Sequence, residues 1–517
     1  MVGRAGGTGA GVSPRRDGPV MRRRAFLAGA AMLPLVGAPR VLLADDAPPF
    51  SRSVVLERAR ALAAEAFAWP DAPPAAIARL TAEQYAMIGF REEQRLFVDP
   101  PTGFAVDLLH PGFIYSIPVE IFLVEGGASR KIEYDPALFN FGDVPPPEPG
   151  MNLEFAGFRA LTALNQPDLL QAFAIFAGAS YFKAVSKGQA FGLSARGLAI
   201  GTGEAEGEEF PFFRAHWLET PGEGRMVVHS LLDGPSAAGA YRFTIRPGDP
   251  TQIDVEATIF ARENIAHLGL APLTSMFLFD AKDRGEHDDF RLGVHDSDGL
   301  AMWNAQDERI WRPLHSPRLL QISAFADSGP RGFGLVQRER SFSDYEDLGA
   351  AYHRRPSAWV EPIGDWGKGH VVLVEIPSGA EIHDNIVAYW RPEEDIAKGN
   401  EISLTYRLSW GWDAPDLAGL LRVERTLSGA GRNGRRRFVV DFAGDAPNPI
   451  RASAVQLVAQ ANPGSLHDVE IAENPEINGL RISADLDPEG ADSVEMRLEL
   501  RSGDRRIAET WIYRWSS

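Results

Sequence analysis

Apolar residues recur at helical spacing at Val54, Val55, Leu56, Ala59, Leu62, Ala63 and Ala66, which predicts a helix over 53–67. Pro70, Pro73 and Pro74 break the chain after it, and Thr81-Ala82-Glu83-Gln84 reads as a capping box opening a second short helix. From there the period falls to two. Tyr241, Phe243 and Ile245 alternate with polar residues, Arg246-Pro247-Gly248-Asp249 turns, and Ile253, Val255 and Ala257 alternate again, which predicts a hairpin. Val371-Val372-Leu373-Val374 reads as a strand buried on both faces. Neither a βαβα alternation nor an internal repeat is visible, so the expected class is all-β, with a large N-terminal antiparallel β-sandwich.

Near residue 392 the texture changes. Pro392-Glu393-Glu394-Asp395 and Lys398-Gly399-Asn400 are charged and turn-forming, as a linker should be. Beyond them Ile402, Leu404, Tyr406, Leu408 and Trp410 share a face, Val494 to Leu500 alternates without a fault, and Trp511, Tyr513 and Trp515 end the chain. The expected organisation is an export segment at 1–44, a β-sandwich at 45–392 holding a long cleft, a linker at 393–400, and a smaller immunoglobulin-like sandwich at 401–517.

Arg22-Arg23-Arg24-Ala25-Phe26-Leu27 carries the Arg-Arg-x-Phe-Leu core of a twin-arginine signal, followed by an apolar run to Val36 and a cleavage position after Ala44. The signal reads naturally from Met21, and its apolar run is too short to span a bilayer. The expected location is the periplasm. The chain has no cysteine, which excludes disulfides, Fe–S clusters and thiolate zinc sites. Residues 1–44 hold seven Arg and one Asp, a net of +6, so the remaining 473 residues (517 minus 44) carry −18 − 6 = −24. Such a surface repels nucleic acid, which is not expected as a partner, but is indifferent to a neutral polymer.

The candidate chemistry lies in His295-Asp296-Ser297-Asp298-Gly299 and His383-Asp384-Asn385, in a stretch crowded with tryptophan. Seven of the eleven Trp fall between Trp303 and Trp412, about a fifth of the length. Sugar rings stack on indoles, and acetals are cleaved by carboxylate pairs, so this pattern suits a carbohydrate site. Asp296 and Asp384 are the candidate pair; turn capping and strand initiation are the structural alternatives, and Glu381 is a spare carboxylate that stands in for Asp384 in a second version of the site. Trp303, Trp311, Arg312, Tyr352, Arg355, Trp359, Trp366, Lys368 and Trp390 are the other candidates for contact with a sugar chain, chiefly because their neighbours are Gly, Lys or Arg. A two-His, one-carboxylate metal set of His295, Asp296 and His383 is weighed, but no spacing demands it, so no metal and no cofactor are expected. Gly192-Leu193-Ser194-Ala195-Arg196 misses the second glycine of a nucleophile elbow, which sets a serine hydrolase aside.

Several long stretches in one order resemble the periplasmic glucan biosynthesis protein G and D family (OpgG/OpgD, also called MdoG/MdoD). They include Phe155-Ala-Gly-Phe158, Gly178-Ala-Ser-Tyr-Phe182, Phe191 to Ile200, Ala271-Pro-Leu-Thr-Ser-Met-Phe277, His295 to Leu300, Arg355-Pro-Ser-Ala-Trp359, Trp366-Gly-Lys-Gly369 and Asp384-Asn-Ile-Val387. The resemblance implies the two-sandwich fold and a role in making osmoregulated periplasmic glucans with a β-1,2-linked glucose backbone. It implies inverting glycoside hydrolase or transglycosylase activity on that backbone, with Asp384 as general acid and Asp296 as general base. On the residues' own physics, Asp384 beside an apolar strand is expected to be shielded and hold its proton, while Asp296 in a polar turn is expected to stay ionised. An inverting pair stands roughly 6.5–9.5 Å apart. The basic segment Ser428 to Arg437 is short where some D-type members carry a longer, Trp-containing loop that helps close the site. The competing function is a non-catalytic glucan-binding protein that guides or modifies the nascent polymer, with the inner-membrane glucan synthase as a partner. An isologous homodimer is a fair expectation for assembly.

Overall fold

A computed structural model describes residues 48–98, 102–285, 287–415, 419–444 and 451–517; the expected export segment lies outside them. The first expected helix forms as Arg52–Ala64, three residues shorter at its end than its pattern predicts. The reason is a cap from elsewhere: buried Arg262 donates to the carbonyls of Leu62 and Glu65 and so takes the groups a further turn would use. Val55 and Ala59 face inward beside Trp217, Ala240 and Phe260, so the helix covers one face of the large sheet. The capping box at Thr81 forms as expected: the Thr81 hydroxyl accepts from the amide of Gln84, whose side chain accepts from the amide of Thr81.

The rest is sheet. The expected hairpin is present as Ala237–Arg246 and Thr251–Ala261, with Tyr241 opposite Ala257, Phe243 opposite Val255 and Ile245 opposite Ile253. The strand Gly369–Glu375 is buried on both faces and lies between Gln321–Asp327 and Ile386–Pro392. Among the described residues, a sheet of fifteen strands packs against one of ten, and their inner faces form one core containing Phe158, Phe176, Phe243, Leu273 and Trp390. This is the all-β architecture the alternation predicts.

One boundary differs from expectation. The strand Glu401–Gly411, assigned by pattern to the C-terminal sandwich, sits in the middle of the large sheet between Thr251–Ala261 and Ser357–Ile363. Its inward face is the expected one, with Leu404, Tyr406, Leu408 and Trp410 buried. Alternation fixes the face of a strand but not its neighbours, so the pattern could not distinguish the two bodies. The C-terminal body is built from 421 onward: Arg422–Ala430, Arg436–Ala443, Ser465–Asn474 and Gly479–Asp487 form a four-stranded sheet. Opposite it, Gln456–Asn462, Ser493–Ser502 and Thr510–Ser516 extend the large sheet itself. The junction is a parallel pairing of Arg309–Pro313 with Thr510–Ser516, Trp311 beside Trp511.

Candidate active site

The strand Leu268–Ser275 and the two residues after it hold both candidate carboxylates. The Asp296 amide donates to the carbonyl of Met276 (2.8 Å), and the hydroxyls of Ser297 and Ser275 meet at 2.9 Å. Asn385, next to Asp384, is buried; its side chain accepts from the amide of Phe277 and donates to the carbonyls of Phe277 and Ile376. Segments about ninety residues apart in sequence are thus pinned to consecutive backbone positions, 276 and 277.

Asp384 lines a cleft of about 410 Å³, with Tyr115, Ile117, Tyr181, Lys183 and Ser194 on its walls. That volume is within the usual range for small-ligand sites, about 300–1,000 Å³. The Asp384 side chain makes no hydrogen bond among the described residues. Crowding by protein raises its pKa, while Lys183, Arg196 and Arg355 pull it back. Asp296 is buried, and its Oδ1 has no hydrogen-bond partner; the Arg355 guanidinium stands 3.4 Å away. Burial raises the Asp296 pKa to about 6; Arg355 opposes the rise and the nearby charge of Asp384 adds to it. The two acids therefore feel each other. The shielding is the reverse of the sequence expectation: Asp296 is the enclosed carboxylate, and Asp384 opens onto the cleft. The cause is tertiary: the polar turn 296–298 is buried, whereas Ile386 and Ala388 after Asp384 point into the core and Ile382 before it is exposed, so neither side shields the carboxylate.

Three of the other expected residues gather here. Tyr352 is buried under the Arg355 guanidinium (5.3 Å) and donates from its hydroxyl to Glu381 (3.1 Å). Glu381 in turn pairs with Arg291 (2.7 Å), which also holds Asp289 and Asp347. A continuous chain thus runs from Asp296 through Arg355, Tyr352 and Glu381 to Arg291.

The remaining candidates lie elsewhere. Trp311, Trp359 and Trp390 are buried core rings, each flat against a glycine whose missing Cβ makes its room: Gly299, Gly332 and Gly369. Arg312 is buried in an ion pair with Glu375 (2.9 Å). Trp303 has Arg309 3.2 Å and Arg331 5.2 Å from its ring, which occupies the stacking surface a sugar would need. Trp366 donates to the Thr405 carbonyl and packs on the core, and Lys368 is exposed beside it. Both precede the strand Gly369–Glu375, whose seven residues separate them by roughly 20 Å from the end nearest Asp384. His383 is exposed, its Nδ1 engaged with Ser378 (3.2 Å).

Lys183 and Arg196 were missed by the sequence reading. Lys183 lines the same cleft as Asp384; burial lowers its pKa, and the charges of Asp384 and Asp296 oppose the fall. Arg196 is anchored by Thr274 (2.8 Å) and Glu208 and covers the Tyr181 ring. Their signal was present in the stretches around Gly178–Phe182 and Phe191–Ile200, which also carry the family resemblance.

Comparison with known proteins agrees with that resemblance. A family profile described as periplasmic glucan biosynthesis protein, MdoG, matches residues 50–515. A protein of Rhodopseudomonas palustris strain BisA53 named glucans biosynthesis protein G is 46% identical over 504 residues, covering 96% of this chain and all of that protein. One of the same name from strain ATCC BAA-98 / CGA009 is 47% identical over 502 residues, again covering 96% and 100%. A third, from Shewanella sp. strain W3-18-1, is 46% identical over 475 residues, 90% of this chain and 87% of that protein.

Proposed function

The chain belongs to the family of periplasmic glucan biosynthesis proteins described as MdoG, and on that premise we propose that it acts on the β-1,2-glucan backbone as an inverting glycoside hydrolase or transglycosylase. The observation that carries the reading is the pair Asp296 and Asp384, held through Met276 and, by way of Asn385, Phe277: both have raised pKa values, Asp384 lines the cleft, and buried Asp296 has an oxygen with no hydrogen-bond partner. Carboxylates left in that state are what general acid–base chemistry uses.

In this reading Asp384 gives its proton to the glycosidic oxygen as the C–O bond breaks. Asp296 takes the proton of the water that attacks the anomeric carbon from the opposite face. A glucan hydroxyl in place of water gives transfer. A pKa of about 6 suits Asp296 as the base, because it is ionised at neutral pH and more basic than an ordinary carboxylate. Asp384 opens onto the cleft, so a bound glucan that expels water raises its pKa further and lets it hold the proton. Lys183 and Arg355 pull the pKa values of both acids down against the effect of burial. The aromatic platforms of this cleft are tyrosines rather than tryptophans. The twin-arginine segment supports export of the chain in folded form, with the mature protein starting at Asp45. Among the described residues, no helix is long and apolar enough to cross a membrane.

The test is incubation of the mature protein with linear β-1,2-glucan and product analysis by mass spectrometry, alongside Asp296→Asn and Asp384→Asn. Shortened or cyclised products that vanish in both variants are expected, with the anomeric configuration of the first product inverted. A wild type that binds the polymer and leaves its length unchanged sinks the enzymatic reading in favour of a glucan carrier serving the synthase.

A further inference from the structure

His295 lies next to Asp296 in the chain but belongs to a different cluster. It is fully buried, stacked on Phe277 (5.2 Å between ring centres) and met edge-on by Tyr345 (5.1 Å). Its tautomer is fixed by Gln337. The Gln337 amide nitrogen donates to the carbonyls of His295 (3.1 Å) and Tyr352 (3.3 Å), so its oxygen is the atom 3.0 Å from His295 Nδ1. Nδ1 therefore carries the hydrogen, and Nε2 presents a lone pair. That Nε2 is buried with no hydrogen-bond partner.

Two carboxylates converge on the same ring. Asp298 Oδ1 is 3.3 Å from Nδ1, and Glu339 Oε2 is 3.8 Å from Nε2. One donor atom from each of the three side chains lies within 4.8 Å of the others. The cations nearby are already engaged: Lys282 with Asp280, Arg338 with Glu509, and Arg340 with the carbonyls of Arg355 and Trp412. Space is left beside Nε2 by Gly293, where a Cβ would stand 3.0 Å from that nitrogen.

We propose that His295, Asp298 and Glu339 form a binding site for a divalent cation of the zinc class. A cation bonded to Nε2 and a carboxylate oxygen at about 2.1 Å each separates them by roughly 3.0–4.2 Å between a right angle and a straight line, which spans the observed 3.8 Å. A neutral imidazole with two carboxylates is a donor set for zinc or manganese, whereas calcium favours oxygen alone. This departs from the sequence expectation of no metal, and it uses a different set from His295, Asp296 and His383. Its role is positional. The cation ties both ends of the turn 295–298, which carries Asp296, to the segment holding Glu339.

The test is calorimetric titration of chelator-treated mature protein with zinc chloride, with calcium chloride as comparator, and no glucan present. One saturable zinc site is expected, together with a rise in melting temperature. Glu339→Gln and Gly293→Ala, each checked for an unchanged circular dichroism spectrum, should weaken binding about tenfold or more. X-ray absorption of the zinc-loaded wild type should read a single imidazole among oxygen ligands. Absence of saturable zinc binding, a preference for calcium, equal binding in folded variants, or two imidazoles in the zinc shell would each overturn the site. Because binding is read without substrate, the result stands apart from that of the glucan experiment.

Discussion

Next to the cleft, the buried acid Asp296 is left short of partners; on the flank of the core beside Arg312, an equally buried acid is over-supplied. Glu375 is fully buried, accepts from Arg312 and from the amide of His315, and has the His315 ring at 3.1 Å. Burial alone would raise its pKa, but Arg312 and His315 override that and bring it to about 2. Asp296 is buried to a similar degree, has Arg355 at 3.4 Å and one oxygen with no hydrogen bond, and stands at about 6. The difference is the number of donors, not the depth. The same contrast separates the cleft from the junction with the C-terminal body. There Arg338 grips Glu509 with two nitrogens while lying 3.5 Å from the Trp311 ring, and Glu308 accepts from Thr510 and Arg497. Satisfied acids hold the fold; the under-satisfied Asp296 sits where chemistry is proposed.

The sharpest way to break this comparison is to neutralise one acid of each region. Asp384→Asn keeps the shape of the cleft wall and removes the titratable proton. It should lower kcat on β-1,2-glucan by about 10²–10⁴-fold while leaving glucan affinity and melting temperature near wild type. Steady-state kinetics with calorimetric glucan binding would check it, and retention of full activity would refute the assignment of Asp384. Glu375→Gln should do the converse. Removing one partner of the buried pair leaves Arg312 uncompensated, at a cost of about 3–5 kcal/mol in denaturant unfolding at neutral pH. Because the folded-state pKa is depressed to about 2, the stability Glu375 contributes is present above its unfolded value near 4.5. It is lost as pH falls through about 2, so the gap between wild type and variant should narrow over that window.

Asp296→Asn should move stability the other way. A carboxyl whose folded-state pKa is raised contributes stability that is full below its unfolded value of 3.8 and lost as pH rises through about 6. The wild type therefore carries the cost of a buried charge above about pH 6, and the variant should be more stable there by roughly 2–3 kcal/mol. The advantage should vanish below pH ~4. Unfolding curves at several pH values would show it. Activity should show the matching signature, with the ascending limb of the wild-type pH–rate profile near 6 if Asp296 must be ionised to accept a proton.

Legibility in the sequence followed the same division. Patterns that depend on a residue and its near neighbours came through: the capping box at Thr81, the hairpin around Arg246–Asp249, and the buried faces of Glu401–Gly411 and Ser493–Ser502. What depends on distant partners did not. The alternation of Glu401–Gly411 says nothing of its neighbours Thr251–Ala261 and Ser357–Ile363, so the domain boundary was drawn too early. Tryptophan among Gly, Lys and Arg reads as a candidate sugar contact, yet Trp311, Trp359 and Trp390 lie buried against Gly299, Gly332 and Gly369, none of them a sequence neighbour. The two acids were visible as motifs, but their shielding was inverted, because a polar turn is open only until a sheet closes over it. Lys183 carried no local signal beyond its place after a family stretch; its role comes from lining the same cleft as Asp384.

The smallest expected effect tests whether under-satisfaction at the cleft is held in place by packing. Gly192 lies against Arg355, and an added methyl would stand 3.0 Å from Arg355 Cδ, 3.1 Å from its Cβ and 3.3 Å from Pro356. Gly192→Ala therefore has to shift the guanidinium that faces Asp296 at 3.4 Å, without touching either acid. The charge of Arg355 lowers the Asp296 pKa, so its retreat should raise that pKa and carry the ascending limb of the pH–rate profile to higher pH. Near neutral pH kcat should fall about tenfold, since sub-ångström displacement of a positioning group is felt in the rate. The loss should be recovered in part at alkaline pH, where the weakened pairing no longer limits ionisation. A fall in rate with no shift of the limb would mean that Arg355 acts on the substrate rather than on Asp296. The pairing across 3.4 Å would then have no part in setting the base.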